Sequence, residues 1–195
     1  LVKRLVPEAK KPEAQQELDE RLLATPPIAL ERCREVASDM ARSAAGALKE
    51  SVACLYKGAP KLAKSVREQE ERTDYYEDIL GTYLVKLSAL PTSESDSAEA
   101  TKLLMMIGDF ERIADHAVNL LESAEEMRGK GLEFTESALG ELQILAAAVE
   151  EIVELSLTAF LKDYLNAASI VEPLEQVIDQ LKEQLRTRHI LRLQQ

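Results

Sequence analysis

Two acidic residues stand four positions apart in a segment whose pattern is typical of the middle of a long helix. They are Glu111 and Asp115, within the run Phe110-Glu-Arg-Ile-Ala-Asp-His-Ala-Val-Asn119. Residues four apart leave the same helix face about one turn from each other. The two like charges then repel, at a cost of roughly 0.2–0.5 kcal/mol. Because helix stability alone disfavours the pair, a bound cation is the simplest reason for its presence.

A second acidic ladder precedes this pair, at Glu70, Asp74 and Asp78. Taken alone it is typical of a solvated helix face, since charged residues surround it. The two acidic stretches lie at comparable distances from the loop at 91–96, so an antiparallel hairpin would make them face one groove. Oxygen ligands without His or Cys suit a hard cation such as Mg²⁺, Mn²⁺, Ca²⁺ or ferric iron.

The elements that must position these acids are long helices. Ala, Leu, Glu, Lys and Arg dominate the 195 residues, with seven glycines, seven prolines and no Trp, which is typical of helical bundles. Proline, glycine and capping residues predict an all-α, elongated antiparallel bundle with short connections. The predicted helices cover about 26–57, 61–90, 97–128, 135–162 and 166–195.

Helical spacing predicts which residues face the core. The first helix presents a face of small residues, and the second and third helices present faces of larger residues. The face of the second helix becomes polar at Gln69 and Thr73. The predicted sets are Cys33, Ala37, Met40, Ala44, Ala47, Ser51 and Cys54; Leu62, Val66, Gln69, Thr73, Tyr76, Leu80, Tyr83 and Leu87; and Leu103, Met106, Phe110, Ile113, Ala117, Leu120 and Ala124.

Charge and motifs exclude several classes of function. A net charge of −11 argues against a nucleic-acid binder, which needs excess cationic surface. The sequence has neither a Gly-rich phosphate loop nor a G-x-S-x-G motif, so no catalysis is expected. A ferritin-like metal enzyme is disfavoured because neither His116 nor His189 follows a Glu by three residues.

The second half of the chain repeats features of the first. Shifted by 105 positions, the ladder Glu70, Asp74, Asp78 falls on acidic residues that we take as candidate ligands of a second site: Glu175, Asp179 and Glu183. The repeat predicts two three-helix units, at 25–131 and 132–195, of which the second lacks its last helix. We therefore expect the natural protein to continue past Gln195.

Residues 1–24 form a charged lead-in that begins without Met and carries Lys3, Arg4, Lys10 and Lys11. Cationic residues are enriched on the cytoplasmic flanks of membrane helices. The lead-in therefore has two interpretations: a juxtamembrane segment that follows a membrane helix, or a frayed end.

The run Ile107-Gly-Asp-Phe-Glu-Arg-Ile-Ala-Asp-His-Ala-Val-Asn119 resembles the PhoU family. The resemblance extends over about residues 28–195 and implies two three-helix units, each with an acidic motif on its third helix. It also implies that motif acids and acids of the second helix bind iron or other metal ions. Glu111 and Asp115 would be ligands, as would Glu70, Asp74 and Asp78, and, in the incomplete second site, the acids at 175, 179 and 183.

A narrower resemblance concerns the segment Leu18-Asp-Glu-Arg-Leu-Leu-Ala-Thr-Pro-Pro-Ile-Ala-Leu30. It is similar to the linker that joins the membrane part of bacterial sodium/phosphate cotransporters to a PhoU-like domain. This implies a regulatory domain tethered at the cytoplasmic side of the membrane, with a phosphate transporter as partner. The alternatives are a free-standing cytoplasmic regulator of phosphate signalling and a purely structural helical adaptor. Two helices without their third would leave apolar surface bare, which either a homodimer or a mobile C-terminus would cover.

Overall fold

The computed structural model describes residues 18–194, without the side chains of Leu165 and Ala168. All the regular elements in this range are helical, so the predicted all-α class is confirmed. A short 3₁₀ helix precedes five long helices. They are the 3₁₀ helix Glu20–Ala24, α1 (Pro26–Tyr56), α2 (Pro60–Ser88), α3 (Glu94–Gly129), α4 (Glu136–Lys162) and α5 (Leu165–Leu193).

The helix ends follow local chemistry. Prolines occupy the first turns of α1 and α2, where the missing N–H of proline costs nothing. The Ser93 and Thr135 hydroxyls accept hydrogen bonds from the backbone N–H groups at the starts of α3 and α4, as N-caps do. Asp163 ends α4 with φ of 48° in the left-handed region. These signals explain why the predicted helix bounds agree with the structure to within a few residues.

The first three long helices pack against one another, and α4 packs on α1 and pairs with α5. The core of the three-helix part has two apolar clusters. One contains Met40, Leu80 and Leu103, and the other contains Ala47, Val66 and Leu121. Polar side chains that include the buried Ser43 and Thr73 lie between α1 and α2. The core is therefore interrupted by polar contacts between these two helices.

The small face of α1 is buried at each of its seven predicted positions, which lets α2 and α3 approach it closely. On α3 the prediction is partly wrong. Leu103, Ala117 and Ala124 are buried, but Met106, Phe110, Ile113 and Leu120 are only half-buried. The other buried positions of α3 include Ile107, Ala114 and Leu121. The centre of the buried face is thus rotated by about one residue, since Ile107, Ala114 and Leu121 each follow a predicted position directly.

The last residues of the predicted lead-in belong to the bundle. Leu18 is buried, and Leu22 and Leu23 pack on the first apolar cluster. The Tyr83 hydroxyl donates to the carbonyl oxygen of Asp19 over 2.9 Å. Lys86 pairs with Glu20 over 2.5 Å. Residues 18–24 are therefore fastened to α2, and the rest of the predicted lead-in, residues 1–17, lies outside the described residues.

The α4–α5 hairpin meets the three-helix part near Arg34. The guanidinium of Arg34 pairs with Glu99 of α3 and with Asp163 at the end of α4, each over 2.5 Å. The rings of Phe110 and Phe160 lie 5.1 Å apart, centroid to centroid. None of the described helices combines the length and apolar character that a membrane span requires.

Candidate metal centre

Three of the predicted ligands come together in the groove between α2 and α3. One carboxylate oxygen each from Glu70, Asp74 and Asp115 lies within 4.8 Å of the other two. Glu70 and Asp74 are one turn apart on α2, and the antiparallel α3 brings Asp115 opposite them. We call these three residues the acid trio. Within residues 18–194, the trio is the one place where three Asp, Glu, His or Cys side chains bring ligand atoms this close together.

The surroundings of Glu70 and Asp74 disfavour negative charge on these two members of the trio. Partial burial raises the pKa of Glu70 above its ordinary value, and the neighbouring charges of Asp74 and Asp115 raise it further. Desolvation likewise raises the pKa of Asp74, with the charges of Asp115 and Asp78 adding to the effect. A group that is desolvated among like charges gains most from an opposite charge. The site is therefore electrostatically suited to a cation.

Glu111 is half-buried on α3 beside the trio. Desolvation raises its pKa, and the charges of Asp115 and Glu77 contribute further. Sequence reasoning missed Glu77. The signal was present, because Glu77 is three residues after Asp74 and seven after Glu70, spacings that place all three on one helix face. Glu77 and Glu111 therefore extend the acidic groove beyond the trio.

The other predicted ligands lie apart from this cluster. Asp78 is exposed on α2 and acts on the trio through its charge on Asp74. On α5, Glu175, Asp179 and Glu183 are all exposed. Asp179 pairs with Lys182 over 2.7 Å. In the described part of the chain, the second ladder is thus a solvated helix face that the fold does not bring against another set of acids.

Neither cysteine nor histidine joins the site. Cys33 and Cys54 are free and buried in the two apolar clusters. Desolvation raises the pKa of the Cys33 thiol to about 12 and also raises that of Cys54. Neutral thiols are poor nucleophiles and poor metal ligands. His116, next to Asp115, is exposed and does not belong to the trio.

The donor set of the trio fits a hard cation. It offers only carboxylate oxygens, which Mg²⁺, Ca²⁺, Mn²⁺ and ferric iron accept. The trio and Glu111 would hold the ion, and Glu77 and Asp78 would add negative charge nearby. A bound cation would offset the repulsion among the carboxylates and link α2 to α3 through ligands from both helices.

A comparison with known families found a match that includes the residues of this groove. Residues 37–124 match the PhoU domain. The match supports a PhoU-like domain. It covers most of α1, all of α2 and most of α3, and it includes the trio and Glu111. Neither the curated proteins nor the solved structures gave a match. PhoU domains are helical bundles with a regulatory role in phosphate homeostasis.

Proposed function

We propose that this chain is a metal-binding, PhoU-like regulatory domain that modulates phosphate transport. The observation that carries the proposal is the convergence of Glu70, Asp74 and Asp115 from two helices inside the segment that matches the PhoU domain. The cation is iron or another hard divalent or trivalent ion. The second ladder on α5 is proposed as one part of a second site.

The bound cation has a structural task in this proposal. Desolvation and mutual repulsion act against the ionised forms of Glu70 and Asp74. A cation that binds carboxylates of α2 and α3 reverses this effect and holds the two helices at a fixed distance. A fixed groove presents a constant surface to a partner, whereas a groove whose acids repel one another can open. The cation would thus couple metal availability to the shape of the domain.

The proposed partner is a membrane phosphate transporter, either in the same polypeptide or as a separate protein. The domain would then act at the cytoplasmic side of the membrane, tethered by a membrane domain on its N-terminal side. Support comes from the resemblance of residues 18–30 to a cotransporter linker. A free-standing cytoplasmic regulator of phosphate signalling is the alternative within the same family. No step of catalysis and no nucleic acid is part of the proposal.

Metal analysis tests the metal part. The protein is purified without chelator, its metal content is measured by mass spectrometry, and Mn²⁺ affinity is measured by titration calorimetry. Loss of a carboxylate ligand in Asp115→Asn should weaken Mn²⁺ binding by about tenfold or more. The double variant Glu111→Ala/Asp115→Ala should weaken it further. Asp109→Asn, the same change at an exposed acid of α3, is the matched control. Equal metal content in the wild type and Asp115→Asn would overturn the proposal.

A further inference from the structure

A polar contact between α1 and α2 lies immediately beside the acid trio. The Gln69 carboxamide nitrogen donates to Glu50 Oε2 over 3.0 Å and to the Ser65 hydroxyl over 3.2 Å. Glu50 lies on α1, whereas Ser65 lies on α2 one turn before Gln69. The carboxamide thus fixes this point of α2 against α1.

Gly46 makes room for this carboxamide. A Cβ atom at position 46 would lie 2.3 Å from Gln69 Oε1, a separation that no side chain tolerates. The oxygen belongs to the free end of a flexible side chain, so alanine at 46 would expel the carboxamide rather than push the helices apart. Its hydrogen bonds to Glu50 and Ser65 would then be lost.

The backbone of α2 at Gln69 also forms a hydrogen bond with α1. The Ser43 hydroxyl of α1 donates to the carbonyl oxygen of Gln69 over 3.4 Å, and the Thr73 hydroxyl donates to the same oxygen from within α2 over 2.8 Å. Ser43 and Thr73 are both buried. Gln69 thus contacts α1 through both its side chain and its carbonyl oxygen. These contacts restrain the rotation of α2 about its own axis and its axial position relative to α1.

We propose that Gly46 and Gln69 are positioning residues for the cation site, because they set the rotation of α2 that points Glu70 and Asp74 toward Asp115. This inference rests on the proposed metal binding. Glu70 directly follows Gln69, and Asp74 directly follows Thr73, so each acid is about 100° around the helix from a residue of the polar contact. Repulsion within the trio favours rotation of α2 away from α3, and the contact with α1 opposes that rotation. The carboxylates are thereby held together before the cation arrives.

A set of three variants tests this inference, with Mn²⁺ as the probe and electron paramagnetic resonance as the measure of bound ion. Gly46→Ala and Gln69→Ala should each weaken Mn²⁺ binding by about tenfold. The double variant should bind no more weakly than Gln69→Ala, because the two changes disrupt one contact. Gly140→Ala is the matched control, since a Cβ there meets no atom within 4 Å, and it should bind as the wild type does.

Thermal melting without metal separates positioning from stability. A lower melting temperature of Gly46→Ala with unchanged Mn²⁺ affinity overturns the inference, as does an additive effect in the double variant. Should Gly46→Ala fail to fold, Gln69→Ala, which introduces no clash, decides the question alone. If the wild type does not bind Mn²⁺, or if Asp115→Asn binds it equally well, the proposed metal site itself is wrong. This outcome differs from a failure of the positioning role, in which the wild type binds Mn²⁺ and Asp115→Asn binds it more weakly.

Discussion

At the scale of single residues, Glu70 and Asp74 of the acid trio and the neighbouring Glu111 make the stability of the folded protein sensitive to pH. The pKa values of Glu70, Asp74 and Glu111 are raised in the folded state, so folding favours their protonated forms. The resulting decrease in the free energy of unfolding is fully present at pH values above the raised pKa values of the folded state. It disappears as the pH falls below the ordinary pKa values of 4.5 for Glu and 3.8 for Asp, because these carboxyl groups are then protonated in both the folded and the unfolded state.

Asp115→Asn should therefore stabilise the metal-free protein at pH 7. Removal of one like charge should increase the free energy of unfolding by about 0.5 kcal/mol, or raise the melting temperature by about 1–2 °C. Thermal denaturation in chelator measures the effect, with Asp109→Asn as the control. The difference between Asp115→Asn and the wild type should shrink as the pH is lowered toward 3.5. A variant that is less stable than the wild type at pH 7 in chelator would contradict the electrostatic account.

The sequence predicted part of this site, because helical spacing alone puts acids four apart on one face. That spacing identified the pair Glu70 and Asp74 and the pair Glu111 and Asp115. It gave no means of deciding which members approach most closely, since this depends on the rotation of α2 relative to α3. Only the packing of the two helices shows that Asp115 lies close to Glu70 and Asp74, whereas Glu111 lies near Glu77.

At the scale of elements, the α4–α5 hairpin is fastened to the three-helix part by few interactions, of which the Arg34 contacts are the most specific. The side chains of Arg34 and Glu99 are 29% and 27% exposed, so their ion pair is shielded from water more than a surface pair is. The hydrogen bond and charge of Arg34 also lower the pKa of Asp163. One guanidinium thus connects α1, α3 and the corner between α4 and α5.

Arg34→Ala should loosen this corner. The change leaves Glu99 without its guanidinium partner in a partly buried place, which should cost about 1–2 kcal/mol. Hydrogen exchange followed by mass spectrometry should show faster exchange in peptides from residues 150–170. Arg32→Ala is the control, because Arg32 forms its ion pair with Glu35 on the same exposed face of α1, and it should change stability by less than about 0.5 kcal/mol. Unchanged exchange at 150–170 in Arg34→Ala would contradict this role.

The amino-acid sequence carries no signal for the Arg34 contacts. Arg34 and Asp163 are far apart along the chain, and neither belongs to a periodic pattern. By contrast, the small face of α1 was read correctly from spacing, because burial along one helix has the period of that helix. On α3 the spacing predicted the buried face less accurately, because two adjacent faces of this helix both carry apolar residues.

At the scale of the whole molecule, burial is unevenly shared. The three-helix part has two apolar clusters, whereas Ala167 is the buried residue among the described side chains of α5. Ile144 of α4 and Ile170 and Val177 of α5 are about half exposed or more. Regions with little buried apolar surface open at lower free energy than the core.

Hydrogen exchange should therefore be slowest in α1 and at least about 100-fold faster in α5. Native-state exchange read by mass spectrometry at several protein concentrations tests this. Exchange at equal rates in α1 and α5 at low concentration would contradict the expectation. Protection of α5 that increases with protein concentration would support the homodimer expected from the sequence, since a second copy would then cover the exposed apolar residues.

The sequence by itself determined the helices, their bounds, their antiparallel order and the candidate acids, because these follow from local propensity and from the 3.6-residue period. The tertiary structure decided which acids meet. It brought Asp115 to Glu70 and Asp74, left Glu175, Asp179 and Glu183 exposed, and placed Gln69 against Gly46. These outcomes depend on how one helix is rotated against another, and contacts among residues distant in sequence set that rotation.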